Sequence, residues 1–309
     1  MRVLIIRPGA LGDTLMLLPA LKDLSGKVAV TVVGREPGLN FIQPHVDCTM
    51  DLEACGWHRL FMEQPDRARL PVPDADVVAA FLTDEDGVVQ RNLRAFLPHA
   101  AVYLFRSFPQ DGEDIHVALY LARCLKSAGL PVAPLQSIEA VRTGALCKGT
   151  KLPEKGDKIV LHPGSGSSKK NYPPDFWIAL ATRFKRHDPF EGLRPIFLLG
   201  PAETSLQASL VENLQSKDVE VVISSSSESL VEILHQAVMY VGHDSGITHL
   251  SALQCIPTIA LFRKSDATQW GPLGPVVHVM ENRNPGPEFL EEVLETCARL
   301  IRIQRSPAN

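Results

Sequence analysis

At 309 residues the chain exceeds the usual size of one hydrophobic core, so we expect two domains of roughly 150 residues each. A content of 45% hydrophobic and 21% charged residues is typical of a folded globular protein, and the formal net charge of -4 argues against nucleic-acid binding through a basic surface. The apolar run at residues 3–6 is too short for a signal peptide, and no stretch approaches the roughly 20 apolar residues that span a bilayer. We therefore expect a cytoplasmic protein, while peripheral contact with the inner face of the cytoplasmic membrane stays open.

The six cysteines stand at positions 48, 55, 124, 147, 255 and 297, without a C-x-x-C pair or a zinc-finger arrangement. We expect reduced thiols and no metal site built on them. The composition gives no firm prediction of the oligomeric state.

The first half of the chain begins with a predicted strand at residues 3–6, a tight loop at 7–12 and a helix that opens near Asp13. Further strands are predicted at 28–33, 77–81 and 101–105, and an amphipathic helix at 116–128 is terminated by Gly129. The sequence pattern predicts no helix limits between about 45 and 115. Residues 143–157 combine glycines, a proline and lysines and are predicted as a linker.

In the second half, strands are predicted at 158–161, 195–199, 239–242, 258–262 and 276–280. Helices are predicted from residues 174, 203, 229 and 245, and a terminal helix at 287–303. This alternation predicts an α/β protein with two doubly wound parallel sheets. The predicted domains are residues 1–150 and 157–287, with a final helix at about 288–304 that could pack back on the first domain.

Three loops follow predicted strands, and open α/β sheets bind their ligands at the carboxyl ends of strands. The first loop, residues 8–13, lacks the G-x-G-x-x-G spacing of a dinucleotide site. Asp13 is either a plain helix cap or a carboxylate that the helix start keeps ionised and aimed, ready to accept a proton from an attacking hydroxyl.

The second and third loops combine glycines, hydroxyl groups and a base in the manner of phosphate sites. Residues 162–173 include Ser165, Gly166 and two lysines, a pattern that suits a diphosphate but also a flexible polar loop. Residues 242–249 open a helix at which the N–H groups of Ser245 and Gly246 would meet a phosphate. His249 lies one turn onward, either as part of that site or as a core histidine.

Taken together, the segments "MRVLIIRPGALGDTLMLLPAL", "LHPGSGSSKKNYPPDFW", "LLGPAE" and "VGHDSGITHLSAL" resemble glycosyltransferase family 9, the ADP-heptose:lipopolysaccharide heptosyltransferases. The similarity runs from Met1 to the end of the chain. By this resemblance Asp13 is the catalytic base and Glu203 holds the donor nucleoside. The resemblance also implies donor-phosphate contacts for Lys170, Ser245, Gly246 and His249, with Gly12 and Asp244 shaping their loops.

The resemblance implies a GT-B type fold, with two Rossmann-like doubly wound parallel-sheet domains that face a central cleft. It implies an inverting glycosyltransferase that moves a heptose or related sugar from a nucleotide-diphosphate donor, ADP-heptose above all, to a lipopolysaccharide-core or similar glycolipid or oligosaccharide acceptor. No metal and no cofactor are expected, because a lysine and a helix end supply the positive charge. One departure is the acidic run Asp84, Glu85 and Asp86, which stands where the family usually carries basic acceptor-binding residues.

Two alternatives stay open. One is another nucleotide-sugar enzyme of the same architecture, such as an epimerase, which would need an acid/base group besides Asp13. The other is a non-catalytic nucleotide-sugar-binding assembly protein, which would keep the phosphate loops but would not need Asp13.

Overall fold

The computed structural model describes residues 1–54, 56–64, 72–110, 112–144, 156–185, 188–200, 203, 210 and 219–305. Contacts between Cα atoms divide the chain into two compact units, Met1–Ala140 and Val141–Asn309, called the first and second unit below. Each unit contains one parallel sheet covered by helices, as the alternating sequence pattern predicts.

The first unit contains a five-stranded parallel sheet in the order β3-β2-β1-β4-β5. Its strands are Arg2–Ile6 (β1), Ala29–Gly34 (β2), Cys48–Asp51 (β3), Val77–Phe81 (β4) and Ala101–Phe105 (β5). All five residues of β4 are buried, as expected for a central strand with helices on both faces. The short strand β3 was not predicted by the sequence pattern, since only four partly exposed residues form it.

The described residues of the first half of the chain form six α-helices. They are Leu11–Leu15 (α1), Leu18–Leu24 (α2), Gly38–Ile42 (α3), Val88–Phe96 (α4), Val117–Ser127 (α5) and Pro134–Arg142 (α6). The predicted first helix is divided in two, and Pro19 lies in the first turn of α2, where its missing N–H costs nothing. Most of the predicted linker, residues 145–155, lies outside the described residues.

The second unit contains a six-stranded parallel sheet in the order β11-β10-β9-β6-β7-β8. Its strands are Lys158–His162 (β6), Arg194–Leu199 (β7), Glu220–Ile223 (β8), Ala237–His243 (β9), Thr258–Phe262 (β10) and Val277–Glu281 (β11). Its described helices are Pro174–Phe184 (α7), Ser227–His235 (α8), Gly246–Leu253 (α9), Ala267–Trp270 (α10) and Pro287–Arg305 (α11). Helix α8 begins two residues before the predicted start at residue 229, because the hydroxyl of Ser226 caps it. The helix predicted from Glu203 falls largely outside the described residues.

The final helix α11 packs on the second sheet. Its apolar face, including Phe289, Val293 and Cys297, belongs to the same buried cluster as Trp177 on α7 and Val241 on β9. Its long apolar stripe is buried within the second unit, and the return of this helix to the first domain, which the sequence left open, stays a prediction. The predicted domain limits themselves stay a prediction.

Cysteine chemistry differs from the expectation of six reduced thiols. Cys48, Cys124 and Cys297 are free, whereas Cys255 is disulfide-bonded. The spacing of the cysteines along the chain did not indicate this bond. None of the described helices is long and apolar enough to cross a membrane.

Candidate active site

The strand orders locate the expected ligand sites. In the first sheet the order reverses between β1 and β4, and in the second between β6 and β9. A doubly wound sheet opens a crevice at the carboxyl ends of the two strands that flank such a reversal. The three loops singled out from the sequence follow β1, β6 and β9, so each lies at one of these two points.

Asp13 is the third residue of α1 and folds back over the loop that precedes it. Its Oδ2 accepts a hydrogen bond from the N–H of Ala10 at 2.9 Å. A Cβ added at Gly9 would lie 2.4 Å from the Cβ of Asp13, so only glycine permits this approach. Gly12 occupies the first turn of the same helix. The carboxylate is therefore held in a fixed place at the end of β1.

Arg7, at the end of β1, was missed by the sequence reasoning. Its side chain is buried, with only 2% of the residue exposed. Nε donates to the carbonyl oxygen of Asp13 at 3.0 Å, and Nη1 donates to the carbonyl oxygen of Ser107 at 2.8 Å. Its guanidinium also lies over the rings of Phe81 and Phe108, 5.7 and 5.2 Å from their centroids. Burial lowers the pKa of Arg7 to about 10, and the nearby charge of Asp13 opposes that shift. Arg7 thus remains a cation at neutral pH beside the predicted base.

The loops after β4 and β5 line a cavity of about 640 Å³ that includes Asp84, Glu85, Arg106 and Phe108. Asp84 accepts the N–H groups of Val89 and Gln90 at 3.0 and 2.8 Å. These are among the first N–H groups of α4, which lack partners within the helix. One carboxylate of the acidic run is thus a helix cap.

The loop after β6 contains Ser165 and Gly166. The hydroxyl of Ser165 lies 2.6 Å from Oδ1 of Asn171 and 2.8 Å from the carbonyl oxygen of Ser167, so it holds the loop together from within. A Cβ added at Gly166 would meet no atom within 4 Å, so this side of the loop has open space. Of the two predicted phosphate contacts, the hydroxyl of Ser165 is engaged in the loop and Gly166 borders that space.

Lys170, from the loop after β6, meets Asp244, from the loop after β9. Nζ of Lys170 lies 2.6 Å from Oδ2 of Asp244, whose side chain is 6% exposed while that of Lys170 is 37% exposed. Nε2 of His249 lies 3.9 Å from the other carboxylate oxygen, Oδ1. The structure thus brings together three of the residues that the sequence predicts for the donor site. It also selects Lys170 over the adjacent Lys169 as the lysine that faces Asp244.

Helix α9 begins beside this ion pair. Ser245 is its N-cap, with the hydroxyl accepting the N–H of Thr248 at 3.4 Å. Thr248 in turn donates its hydroxyl to the carbonyl oxygen of His243 and lies 3.0 Å from the hydroxyl of Tyr240. The side chain of Ser245 is therefore used in capping, and the backbone N–H groups from Gly246 onward form the positive end of the helix.

Glu203 lies where the loop after β6 meets the end of β7. Its Oε2 accepts the N–H of Gly200 at 2.8 Å, and the side chain is buried. A Cβ at Gly164 would lie 2.2 Å from Cγ of Glu203, so Gly164 makes room for this carboxylate. The predicted nucleoside contact therefore lies beside the predicted phosphate loop.

Two buried histidines, also missed by the sequence reasoning, end the strands at the second reversal point. Nδ1 of His162 lies 2.9 Å from the carbonyl oxygen of Leu198. His243 contacts Pro163 and Tyr172 through its two ring nitrogens, at 3.1 and 2.9 Å. Burial lowers the pKa of both, that of His243 to about 3. No three His, Cys, Asp or Glu side chains among the described residues are grouped to hold a metal ion.

Residues 79–298, more than half of the chain, match the sequence profile of glycosyltransferase family 9 (heptosyltransferase). No curated protein matches the sequence. Among solved structures, E. coli heptosyltransferase WaaC with ADP is similar with a TM-score of 0.71 and 19% identity, over 97% of this chain and 100% of that one. The structure of E. coli ADP-heptose lipopolysaccharide heptosyltransferase II is similar with a TM-score of 0.72 and 17% identity, over 99% of this chain and 100% of that one.

A UDP-GlcNAc 2-epimerase from Neisseria meningitidis bound to UDP-GlcNAc is more distant, with a TM-score of 0.50 and 10% identity over 98% of this chain and 92% of that one. At these identities the likeness concerns the fold. It confirms the predicted GT-B type, built from two Rossmann-like parallel-sheet domains. Since the family profile itself covers more than half of the sequence, the chain belongs to glycosyltransferase family 9 and is a glycosyltransferase.

Proposed function

We propose that this glycosyltransferase moves a heptose or a related sugar from ADP-heptose to a lipopolysaccharide-core or similar glycan, with inversion at the anomeric carbon. The observation that carries the proposal is the pairing of Lys170 with Asp244 beside the start of α9, at the carboxyl ends of β6 and β9. Two structures of similar fold contain ADP and ADP-2-deoxy-2-fluoro heptose, respectively.

The donor diphosphate binds between Lys170 and the start of α9. An ammonium group has three donors, so Lys170 can keep its contact with Asp244 and still donate to phosphate oxygens. The N–H groups at Gly246 add the positive end of a helix. Charge develops on the diphosphate as the sugar leaves, and fixed positive groups at that point lower the barrier.

The nucleoside of the donor binds against Glu203. Its carboxylate already accepts one N–H, from Gly200, and has further acceptor positions for a ribose hydroxyl. Glu203 packs on Gly164, in the same loop as Lys170, so ribose and diphosphate contacts come from adjoining segments.

Asp13 acts as the general base in a single in-line displacement. It accepts the proton of the acceptor hydroxyl while that oxygen attacks the anomeric carbon, and the nucleoside diphosphate departs from the opposite face. Its contact with the N–H of Ala10 fixes the direction of the carboxylate. The positive charge of Lys170 and of the helix end takes the place of a metal ion, and His249 contributes a hydrogen bond to the phosphates, so the reaction is proposed to be metal-independent.

The test is a thermal-shift and calorimetric screen of ADP, UDP, GDP and their sugar conjugates. A nucleotide at 100 times its Kd stabilises the folded state by about 2.7 kcal/mol, which raises Tm by about 5 to 10 °C. We expect ADP and ADP-heptose to give this shift, Lys170→Ala to remove most of it, and Lys169→Ala to retain it. The last variant removes the same charge one residue away. If no nucleotide stabilises the folded protein, the proposed donor site is wrong.

Product analysis separates transfer from epimerisation or donor hydrolysis. Incubation with ADP-heptose alone should leave the donor intact, whereas added acceptor should release ADP in step with glycan product. Rapid release of ADP and free sugar without acceptor would favour an epimerase-like reaction instead.

A further inference from the structure

We infer that His243 is a positioning residue of the donor site, whose imidazole holds the lysine-bearing loop after β6 against the start of α9. The inference rests on the proposed donor site and adds a residue that the sequence motifs do not assign to it.

The two ring nitrogens of His243 bind backbone groups from both ends of the same loop. The N–H of Tyr172 donates to Nε2 at 2.9 Å, and Nδ1 lies 3.1 Å from the carbonyl oxygen of Pro163. Because an amide N–H can only donate, Nε2 must accept and the ring proton must reside on Nδ1, which then donates to Pro163. One neutral tautomer satisfies both contacts.

The surroundings keep the ring neutral and fixed. His243 is fully buried, and its centroid lies 4.9 Å from that of Tyr172 and 5.0 Å from that of Trp177, both in edge-on contacts. Burial, with smaller contributions from His162 and Arg263, lowers the pKa of His243 to about 3. The imidazole therefore stays uncharged at neutral pH.

The backbone of His243 is tied to α9 as well. Its carbonyl oxygen accepts the hydroxyl of Thr248 in the first turn of that helix. Asp244 follows His243 directly, and Tyr172 stands two residues after Lys170. A single residue thus connects the lysine loop, the helix start and the carboxylate that Lys170 contacts, and so sets the spacing between the two proposed phosphate-binding groups.

Two further side-chain contacts hold the same segment. Nη1 of Arg263 donates to the carbonyl oxygen of Asn171 at 2.6 Å. The hydroxyl of Tyr172 donates to the carbonyl oxygen of Asn282 at 2.9 Å. These contacts should keep the segment folded when His243 is replaced. The consequence of a replacement is then a displaced lysine loop rather than an unfolded unit.

The experiment measures ADP binding by calorimetry at a temperature well below the Tm of each variant. His243→Phe keeps a ring in edge contact with Tyr172 and Trp177 but removes both hydrogen bonds. We expect ADP to bind about tenfold more weakly, or roughly 1.4 kcal/mol, because binding must then order a loop that the two hydrogen bonds otherwise hold in place. KM for ADP-heptose should rise in parallel. His243→Gln, which can donate and accept, should lose less affinity.

Phe184→Leu is the matched control. Phe184 belongs to the buried cluster that contains Trp177 and Tyr172, but it lies on α7 and not in the loops after β6 and β9. It should lower Tm and leave the affinity for ADP unchanged. Equal affinity of wild type and His243→Phe would overturn the positioning role while leaving the proposed function intact. If Phe184→Leu lost as much ADP affinity as His243→Phe, the positioning role would also be overturned, because general destabilisation would then explain both losses. Absence of ADP binding to the wild type would remove the proposed donor site and this inference with it.

Discussion

Acidification from pH 8 to pH 5 is expected to destabilise the second unit by about 2 kcal/mol through His243 alone. Burial lowers the pKa of this histidine from its ordinary value of 6.5 to about 3. The unfolded chain therefore binds a proton below pH 6.5 that the folded state does not take up until about pH 3. Stability that is fully present above pH 6.5 is lost progressively as the pH falls through this window.

The size of this loss in the free energy of unfolding depends on how far the pH falls below the pKa of the unfolded histidine. A pH of 5 is about 1.5 units below the pKa of this histidine in the unfolded chain and about 2 units above its pKa in the folded state. Each unit of difference corresponds to about 1.4 kcal/mol, which gives about 2 kcal/mol. His162 contributes a loss of the same sign, because burial lowers its pKa too.

The measurement is urea unfolding at pH 8 and pH 5, followed by tryptophan fluorescence in a Trp57→Phe background. Trp57 lies in the first unit, whereas Trp177 contacts the ring of His243. His243→Gln has no imidazole at this position but retains His162. The difference in pH dependence between the two proteins therefore isolates His243.

We expect His243→Gln to be less stable than its parent at pH 8 and to lose about 2 kcal/mol less than its parent on acidification. Parallel losses in both proteins would refute the reasoning, since His243 would then titrate alike in the folded and unfolded states.

Substitutions at four other positions test further contacts of the two units. Asp13→Asn should slow transfer by about 10²- to 10⁴-fold without changing ADP affinity by calorimetry, whereas unchanged turnover would exclude a base at this position. Arg7→Leu, which leaves two backbone carbonyls without their donor, should slow transfer at unchanged ADP affinity, with Arg7→Lys retaining more activity. Asp84→Ala should lower the free energy of unfolding in urea by about 1 kcal/mol by uncapping α4, and Asp84→Asn less so. Gly164→Ala should displace Glu203 and weaken calorimetric binding of ADP more than that of inorganic diphosphate.

The sequence was sufficient for features that depend on local pattern. Continuous apolar runs predicted the central strands such as β4, and Gly129 predicted the end of α5, because burial on two faces and left-handed backbone leave a direct trace in residue type. The glycine and hydroxyl residues between strands and helices predicted two phosphate loops, and this role stays a prediction. The roles proposed for Asp13 and Glu203 came from family resemblance, not from pattern.

Long-range contacts could not be predicted in this way. An arginine after a strand is usually solvated, and only the folded sheet shows that Arg7 is enclosed by Phe81 and Phe108 and bonded to Ser107, one hundred residues away. His243 gave no sequence signal, since its partner Tyr172 is contributed by another strand-loop segment. The placement of α11 was equally inaccessible, because an amphipathic stripe indicates that a helix is buried but not on which sheet.

The contacts at the second reversal point bear on the metal-independent diphosphate binding proposed above. A diphosphate brings two or more negative charges, so the groups that meet it must be fixed before it binds, or binding energy is lost in ordering them. Lys170 is fixed by Asp244, and the loop that carries it is fixed by His243 and Arg263. Gly166, in contrast, borders open space. The same loop therefore combines a constrained cation with an unobstructed face, the arrangement that lets a diphosphate enter without displacing the groups that would hold it.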